Sequence, residues 1–427
     1  KNEIDLLMDK YNLSSDKRYW LNNFNKSGAK FISGTMSPSR SSETKLEPIE
    51  TALDYFYSKG INEVIIEPKY MGSRLQVYLF RDKSKDFGIT RSGHKIGFEN
   101  EMKIVFDNII YSLQKSGGGS VYWTELLKRF IKSDNELIFF DQKEPNENLF
   151  RNTLHLDNVK TESKWSLAIR RYLPFTEKIS GKYIFHSSYY RYASASNAIN
   201  VTSIHDFTTE KFRKGLAREV NLLQKKWAVK KAKGVVCISE NTKKDLLFFM
   251  PNTDENKIRV IYNGVSNDFF NIPENFEIAE KDERFSDLEN QKYLLYIGHR
   301  TSYKNFNYAV EAASKFKENL KLVVVGEPFT DEEKVYVESL LDYNYLQLNK
   351  LNNEKLNYLY NKSYALLYPS SYEGFGIPII EAMKTKCPVI AFKNSSIPEV
   401  AGECGLLYDE ESANSLVDGI LKLRNVE

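Results

Sequence analysis

From residue 102 onward, short apolar runs alternate with longer amphipathic stretches. Residues 102–110, 136–140, 183–185, 198–204 and 234–238 read as buried strands, because each is a brief apolar run bounded by polar or turn-forming residues. Residues 121–130 place apolar side chains at helical spacing, and 210–232 and 241–249 read as further helices. The Asn263-Gly264 turn opens a polar stretch rich in Glu and Asn that runs to about residue 291 and reads as a linker. A second series of strands follows at 293–297, 320–325, 364–368 and 388–391. Strands separated by helices predict parallel sheets, so the expected class is α/β: two Rossmann-like, doubly wound domains, 102–275 and 276–427, facing a cleft. The boundary near Glu99-Asn-Glu101 sets off residues 1–101 as a small α+β segment, in which 63–80 reads as two strands joined by a turn.

Composition narrows the class. The 427 residues are 41% hydrophobic and 27% charged, as in a soluble globular protein of two or three domains. A net charge of +3 is too near balance to point to nucleic acid or a membrane as partner. Cys237, Cys387 and Cys404 show neither metal-ligand spacing nor the even count of a disulfide framework, which suits a reducing cytoplasm. No apolar run approaches the length of a membrane span.

The richest stretch is Tyr368-Pro-Ser-Ser-Tyr-Glu-Gly-Phe-Gly-Ile-Pro-Ile-Ile-Glu381. A buried strand enters it, Pro369 breaks the strand, and Gly374 and Gly376 allow a sharp turn and a close backbone approach. Pro378 suits the first turn of the helix that follows. The free N–H groups of that helix favour an anion. Glu373 and Glu381 place two carboxylates beside this anion site, which suits a ligand carrying both phosphate and hydroxyl groups. These residues resemble the Glu-x7-Glu signature of retaining glycosyltransferases of family 4, whose fold is GT-B; the likeness runs from about Met102 to the end.

That resemblance implies roles. Glu381 would bind the donor ribose, and Glu373 would meet the transferred sugar near its anomeric centre. The backbone of Gly374, Phe375, Gly376 and Ile377 would approach donor phosphate or sugar. Gly118 and Gly119, in Ser116-Gly-Gly-Gly-Ser120, would lie near the donor phosphates. In Gly298-His-Arg-Thr-Ser-Tyr-Lys-Asn305, Arg300 and Lys304 would stabilise the departing nucleoside diphosphate. A solvated basic loop is the alternative for that pair. His205 matches a family histidine near the donor sugar. His186, Tyr189 and Arg191 are candidates for the acceptor, with a packed aromatic cluster as an equal alternative for the last two. Ser239 serves best as a helix N-cap. No metal site and no cofactor are expected. The donor would be a GDP- or UDP-sugar, mannose being the first guess, and the acceptor a glycan or lipid-linked glycan in surface polysaccharide synthesis. A lipid-linked acceptor would bring this cytoplasmic enzyme to the inner face of a membrane as a peripheral protein.

Residues 1–101 resemble something else. Lys69-Tyr-Met-Gly-Ser-Arg74 is similar to the Lys-x-x-Gly motif of RNA ligases and related nucleotidyltransferases, and Thr90-Arg-Ser-Gly-His-Lys95 to the next ligase motif. The resemblance implies adenylylation of Lys69 by ATP, with Gly72, Arg74 and Arg91 near the nucleotide. No closing Lys-x-Lys motif precedes Met102, so the segment holds part of such a core. Nucleic-acid processing through Lys69 is the rival to sugar transfer.

Overall fold

The structure is a computed structural model. It describes Ser58, four strands of the first hundred residues, and residues 103–424 apart from 116, 134, 143–145, 163–165, 274–275, 277–282 and 289–290. The chain divides into two compact units, Lys1–Met102 and Lys103–Glu427. In the first unit β1 (Val64–Ile66), β2 (Leu75–Leu79), β3 (Phe87–Thr90) and β4 (Lys95–Gly97) form an antiparallel sheet in that order. Lys69, Gly72, Arg74 and Arg91 lie outside the described residues.

The second unit holds two parallel sheets. The first lobe is built on β5 (Lys103–Asp107), β6 (Leu137–Asp141), β7 (Val159–Thr161), β8 (Tyr183–Ser187), β9 (Ala198–Ile204), β10 (Gly234–Cys237) and β11 (Ile258–Val260), in the order β11-β10-β9-β8-β5-β6-β7. The second lobe uses β12 (Tyr293–Ile297), β13 (Lys321–Val325), β14 (Tyr345–Leu348), β15 (Ala365–Tyr368), β16 (Val389–Phe392) and β17 (Leu406–Tyr408), in the order β14-β13-β12-β15-β16-β17. Residues 102–110 do not form one strand: the run ends at Asp107, and Ile110 already begins a short helix. Residues 210–232 are likewise two helices, Thr208–Phe212 and Leu216–Lys231, because Gly215 takes a positive φ of 79° between them.

Continuous apolar strands follow from helices covering both faces of each sheet. Leu294 and Tyr296 of β12 enter one core, with Leu367 and Ile390, while Tyr293 and Leu295 enter the other, with Leu366 and Val389. The connection between lobes is anchored early. The backbone N–H groups of Phe270 and Ile272 donate to Asn357 Oδ1 at 3.0 Å and Asn361 Oδ1 at 2.9 Å, on the helix Asn353–Lys362.

Arg191, expected at the acceptor, instead sits in the first lobe's interior, 2% exposed. Its Nη1 donates to Asp107 Oδ2 at 3.0 Å and Glu162 Oε2 at 2.9 Å, its Nη2 to Glu162 Oε1 at 2.8 Å, and its Nε to the Leu173 carbonyl at 3.0 Å. Burial pushes the Asp107 carboxyl up, against the pull of the guanidinium. Removing the arginine would strand two carboxylates away from water. Arg191→Ala is therefore expected to cost about 3–5 kcal/mol of stability in urea unfolding, a loss that a surface acceptor contact would not produce.

Candidate functional site

The loops that carry chemistry leave the carboxyl ends of the strands, where open α/β sheets bind ligands. After β15, residues 369–376 turn back into the helix Ile377–Lys384. Gly376 makes that turn at φ 101°, and Pro378 enters the first helical turn. After β12, residues 298–305 run alongside. The two loops are joined by hydrogen bonds: Ser371 N donates to the Tyr303 carbonyl at 2.8 Å, and Asn305 Nδ2 donates to the Pro369 carbonyl at 2.9 Å and to Ser371 Oγ at 2.7 Å.

This joint brings Lys304 onto Glu373 as an ion pair, with both side chains mostly buried. The ammonium also lies over the Tyr368 ring, 5.6 Å from its centroid. Arg300 goes elsewhere. Its Nε and Nη2 donate to the two oxygens of Glu333, each at 2.9 Å, and Nη1 and Nη2 donate to the Glu327 and Pro328 carbonyls at 2.8 Å. Glu333 in turn closes a capping box with Thr330 at the start of the helix Asp331–Leu341. The expected pair of free cations is thus a single lysine at the carboxylate and an arginine bracing the loop.

Glu381 is half-buried on the helix, and its Oε2 accepts a hydrogen bond from Tyr360 Oη at 2.8 Å. Burial pushes its carboxyl up to about 7. The carboxyl is therefore partly protonated near neutrality, able both to donate to and to accept from a ligand hydroxyl.

The first lobe reaches this turn through His205, just beyond β9. A Cβ placed on Gly374 would fall well inside contact distance of the His205 carbonyl. The Gly374 carbonyl accepts from Ser239 Oγ at 2.7 Å and Thr242 Oγ1 at 3.1 Å. Tyr372 Oη accepts from Phe207 N at 2.9 Å and donates to Asp245 Oδ2 at 2.7 Å. Phe375, buried at the turn, lies near Tyr262. The His205 ring packs edge-on against Tyr122, with centroids 4.6 Å apart, and desolvation lowers its pKa to about 4, so it is neutral.

Gly118 and Gly119 belong to the first turn of the helix Gly118–Phe130 rather than to a loop before it. They present a helix N-terminus, and Tyr122 lies one turn on. His186 is buried, its ring 5.0 Å from Trp123 and its Nε2 bonded to Ser203 Oγ at 3.0 Å, and burial lowers its pKa to about 3. It belongs to the packing of the lobe, not to an acceptor surface. Tyr189 accepts a hydrogen bond from Arg171 at 2.8 Å and packs on Tyr190. Beside them an open groove of about 250 Å³ is lined by Tyr172, Tyr190, Tyr192, Leu223, Gln224 and Trp227.

Tyr122, Asn305 and Tyr360 were not foreseen from sequence. Ser395 and Glu399 were missed too, although Ser396-Ile-Pro398 repeats the strand, turn and helical proline of the main motif and could have drawn notice.

Two family profiles cover this unit: Glycosyltransferase Family 4 over residues 116–269 and Glycosyl transferases group 1 over 278–426. The chain belongs to glycosyltransferase family 4, and its two parallel-sheet lobes are the GT-B fold. This family 4 chain is 32% identical over 205 residues to an O-antigen chain mannosyltransferase of Salmonella typhimurium, covering 46% of the chain and 54% of that relative. It is 25% identical over 336 residues to a glycosyltransferase of Methanocaldococcus jannaschii, covering 76% and 89%. The chain thus spans about half the length of the mannosyltransferase. In fold it matches HepE of Anabaena, solved with UDP-glucose (TM-score 0.57, 16% identity, 76% and 90% covered). It also matches sucrose-phosphate synthase of Thermosynechococcus elongatus (TM-score 0.56, 17% identity, 76% and 90% covered). A third profile, the PNKP adenylyltransferase domain, ligase domain, matches residues 24–169. The ligase likeness therefore runs past Met102 and overlaps the family 4 match.

The Glu381 carboxyl gives the family 4 unit a signed pH dependence. Its folded pKa of about 7 exceeds that of an exposed glutamate, so the folded state holds the extra proton between about pH 4.5 and 7. Stability contributed by this group is present below that window and lost across it as pH rises. Glu381→Gln should flatten the fall, leaving the variant about 1–3 kcal/mol more stable than the parent at pH 8 by urea titration.

Proposed function

We propose that the second unit transfers a sugar from a nucleotide-sugar donor to a glycan acceptor, with retention at the anomeric carbon. The observation that carries this reading is the joint at Gly374. One turn bears Glu373 on Lys304, leads into the helix carrying Glu381, and touches His205 of the other lobe. A donor seated there would lay its diphosphate near Lys304 and the first amides of the helix Ile377–Lys384, with its ribose at Glu381.

As the glycosidic bond breaks, charge grows on the diphosphate oxygen. Lys304 is the cation positioned to meet it, and its attraction would be divided between Glu373 and the leaving group as that charge develops. Glu373, drawn off the lysine, is free to accept from a hydroxyl of the transferred sugar. Neutral His205 can donate to, or accept from, another hydroxyl. Retention follows from front-face attack, in which the departing phosphate oxygen takes the proton of the acceptor hydroxyl and the protein supplies orientation.

The mannosyltransferase relative favours a mannosyl donor, and HepE, solved with UDP-glucose, favours UDP as the carrier, with GDP the alternative; the acceptor would be a growing surface polysaccharide. A panel of UDP- and GDP-sugars, read by release of nucleoside diphosphate, identifies the donor. With that donor, Lys304→Ala should lower kcat by about 10²–10³-fold, and Glu381→Ala should raise KM for the donor by about tenfold. Unchanged kinetics in both variants would refute the assignment. The rival reading, nucleic-acid processing through adenylylation of Lys69 by ATP, is supported by the ligase-domain match. Retention of label from ATP marked at its α-phosphate, lost in Lys69→Ala, tests it.

A further inference from the structure

The lobes are also joined away from the reacting groups. The first three amides of the helix Glu240–Phe249 in the first lobe have no backbone partner within the helix, the next one, of Lys243, donating to the Ser239 carbonyl. Ser239 Oγ takes one, accepting from Thr242 N at 3.0 Å. The first two are taken by the other lobe. Glu240 N donates to Glu399 Oε2 at 2.8 Å, and Asn241 N donates to Glu399 Oε1 at 2.9 Å. Tyr262 Oη donates to the same carboxylate at 3.2 Å.

Glu399 belongs to the short helix Ile397–Ala401, just after Ser395. Ser395 joins the two regions. Its Oγ accepts from Asn241 Nδ2 at 3.0 Å and from Glu373 N at 3.2 Å, and lies within hydrogen-bonding distance of the Glu373 carbonyl. Its φ of 55° is a left-handed conformation that a serine keeps only when its surroundings impose it. Glu399 and Ser395 both meet Asn241, so one connected set of hydrogen bonds runs from Glu399 through Asn241 and Ser395 to the backbone of Glu373.

We infer that Glu399 is a positioning residue for transfer: its carboxylate, seated on the first-turn amides of Glu240–Phe249, clamps the lobes together and fixes the turn that presents Glu373. The role rests on the transfer reading above. Glu399 touches neither Lys304 nor Glu381 among the contacts described, so it acts through Asn241, which holds Ser395, and through closure. Two charge-assisted bonds to a helix N-terminus are strong enough to bias an equilibrium between open and closed lobes and weak enough to release product.

The test uses the full chain with Glu399→Ala, Glu399→Gln and Asn241→Ala, each first checked for an unchanged unfolding midpoint. Solution X-ray scattering reads closure, calorimetry with UDP and GDP reads nucleotide affinity, and the sugar-nucleotide panel reads kcat and KM. Glu399→Ala should expand the particle and lower kcat by about tenfold, with affinity for the nucleoside diphosphate within about twofold of the parent. Glu399→Gln keeps one acceptor for the two amides and should recover part of the loss; Asn241→Ala should shift scattering and kcat in the same direction by less. An unchanged scattering profile, a kcat within about twofold of the parent, or a parallel loss of nucleotide affinity would each overturn the clamp. If the parent releases no nucleoside diphosphate from any sugar nucleotide, the transfer reading fails on its own, and scattering alone decides whether Glu399 holds the lobes.

Discussion

The close approach of Gly374 to the His205 carbonyl constrains everything around it. At this point the backbones of the two lobes come together with no room for a side chain. Because the turn cannot move outward, the residues on either side have fixed directions. Glu373 faces Lys304, Tyr372 sends its phenol to Asp245, and Phe375 is buried. The Gly374 carbonyl, which would otherwise be buried without a partner, is satisfied by two hydroxyls of the first lobe. Shape and hydrogen bonding thus select the same geometry.

Charge around this joint is balanced in pairs. Lys304 faces Glu373 and Arg300 faces Glu333, so each cation is paired and mostly buried. The pairs differ in what they can give up. Arg300 makes bonds to two carbonyls besides Glu333, and Glu333 also caps a helix, so separating them would undo a loop and a helix end together. Lys304 shares one carboxylate and two aromatic faces, and a compact ammonium can turn toward a new anion without unfolding anything. The geometry thus fixes Arg300 into the loop and leaves Lys304 the more easily released of the two cations.

The fold could be read from sequence because both of its signals are local. Runs such as 293–297 and 364–368 are apolar on both faces, as strands between two helical layers must be, and they recur between helical stretches. The Gly374–Gly376 turn was legible for the same reason: glycine, proline and a strand leave few local alternatives. Short edge strands were missed. Val159–Thr161 is exposed along its length, and Leu406–Tyr408 is half-buried, so neither imprints an apolar run. Side-chain destinations were the harder part. His186 lies near the end of β8 and Arg191 just after it, but whether a polar residue there faces outward or into the core depends on what packs opposite it. Here Asp107 and Glu162 claim the arginine, and Trp123 covers the histidine. Those partners are between 29 and 84 residues away in sequence for the arginine, and no local pattern encodes them.

The same distinction explains why the second lobe's chemistry was easier to read than the first lobe's. In the second lobe the polar groups of the site sit on loops whose backbones are already shaped by glycine, proline and a left-handed Asn305, so sequence type and position carry the information together. In the first lobe Asp107, Glu162 and Arg191 bond to one another inside the core, and His186 is spent on packing. What the first lobe contributes to the joint is mostly backbone and hydroxyl: the His205 carbonyl, Ser239, Thr242 and the amides of Glu240 and Asn241. Such groups recognise a partner surface by shape and hydrogen-bond polarity, with little net charge. A first lobe of this kind is suited to docking onto a second lobe whose loops are already formed, with its own charges paired inside the core rather than at the joint.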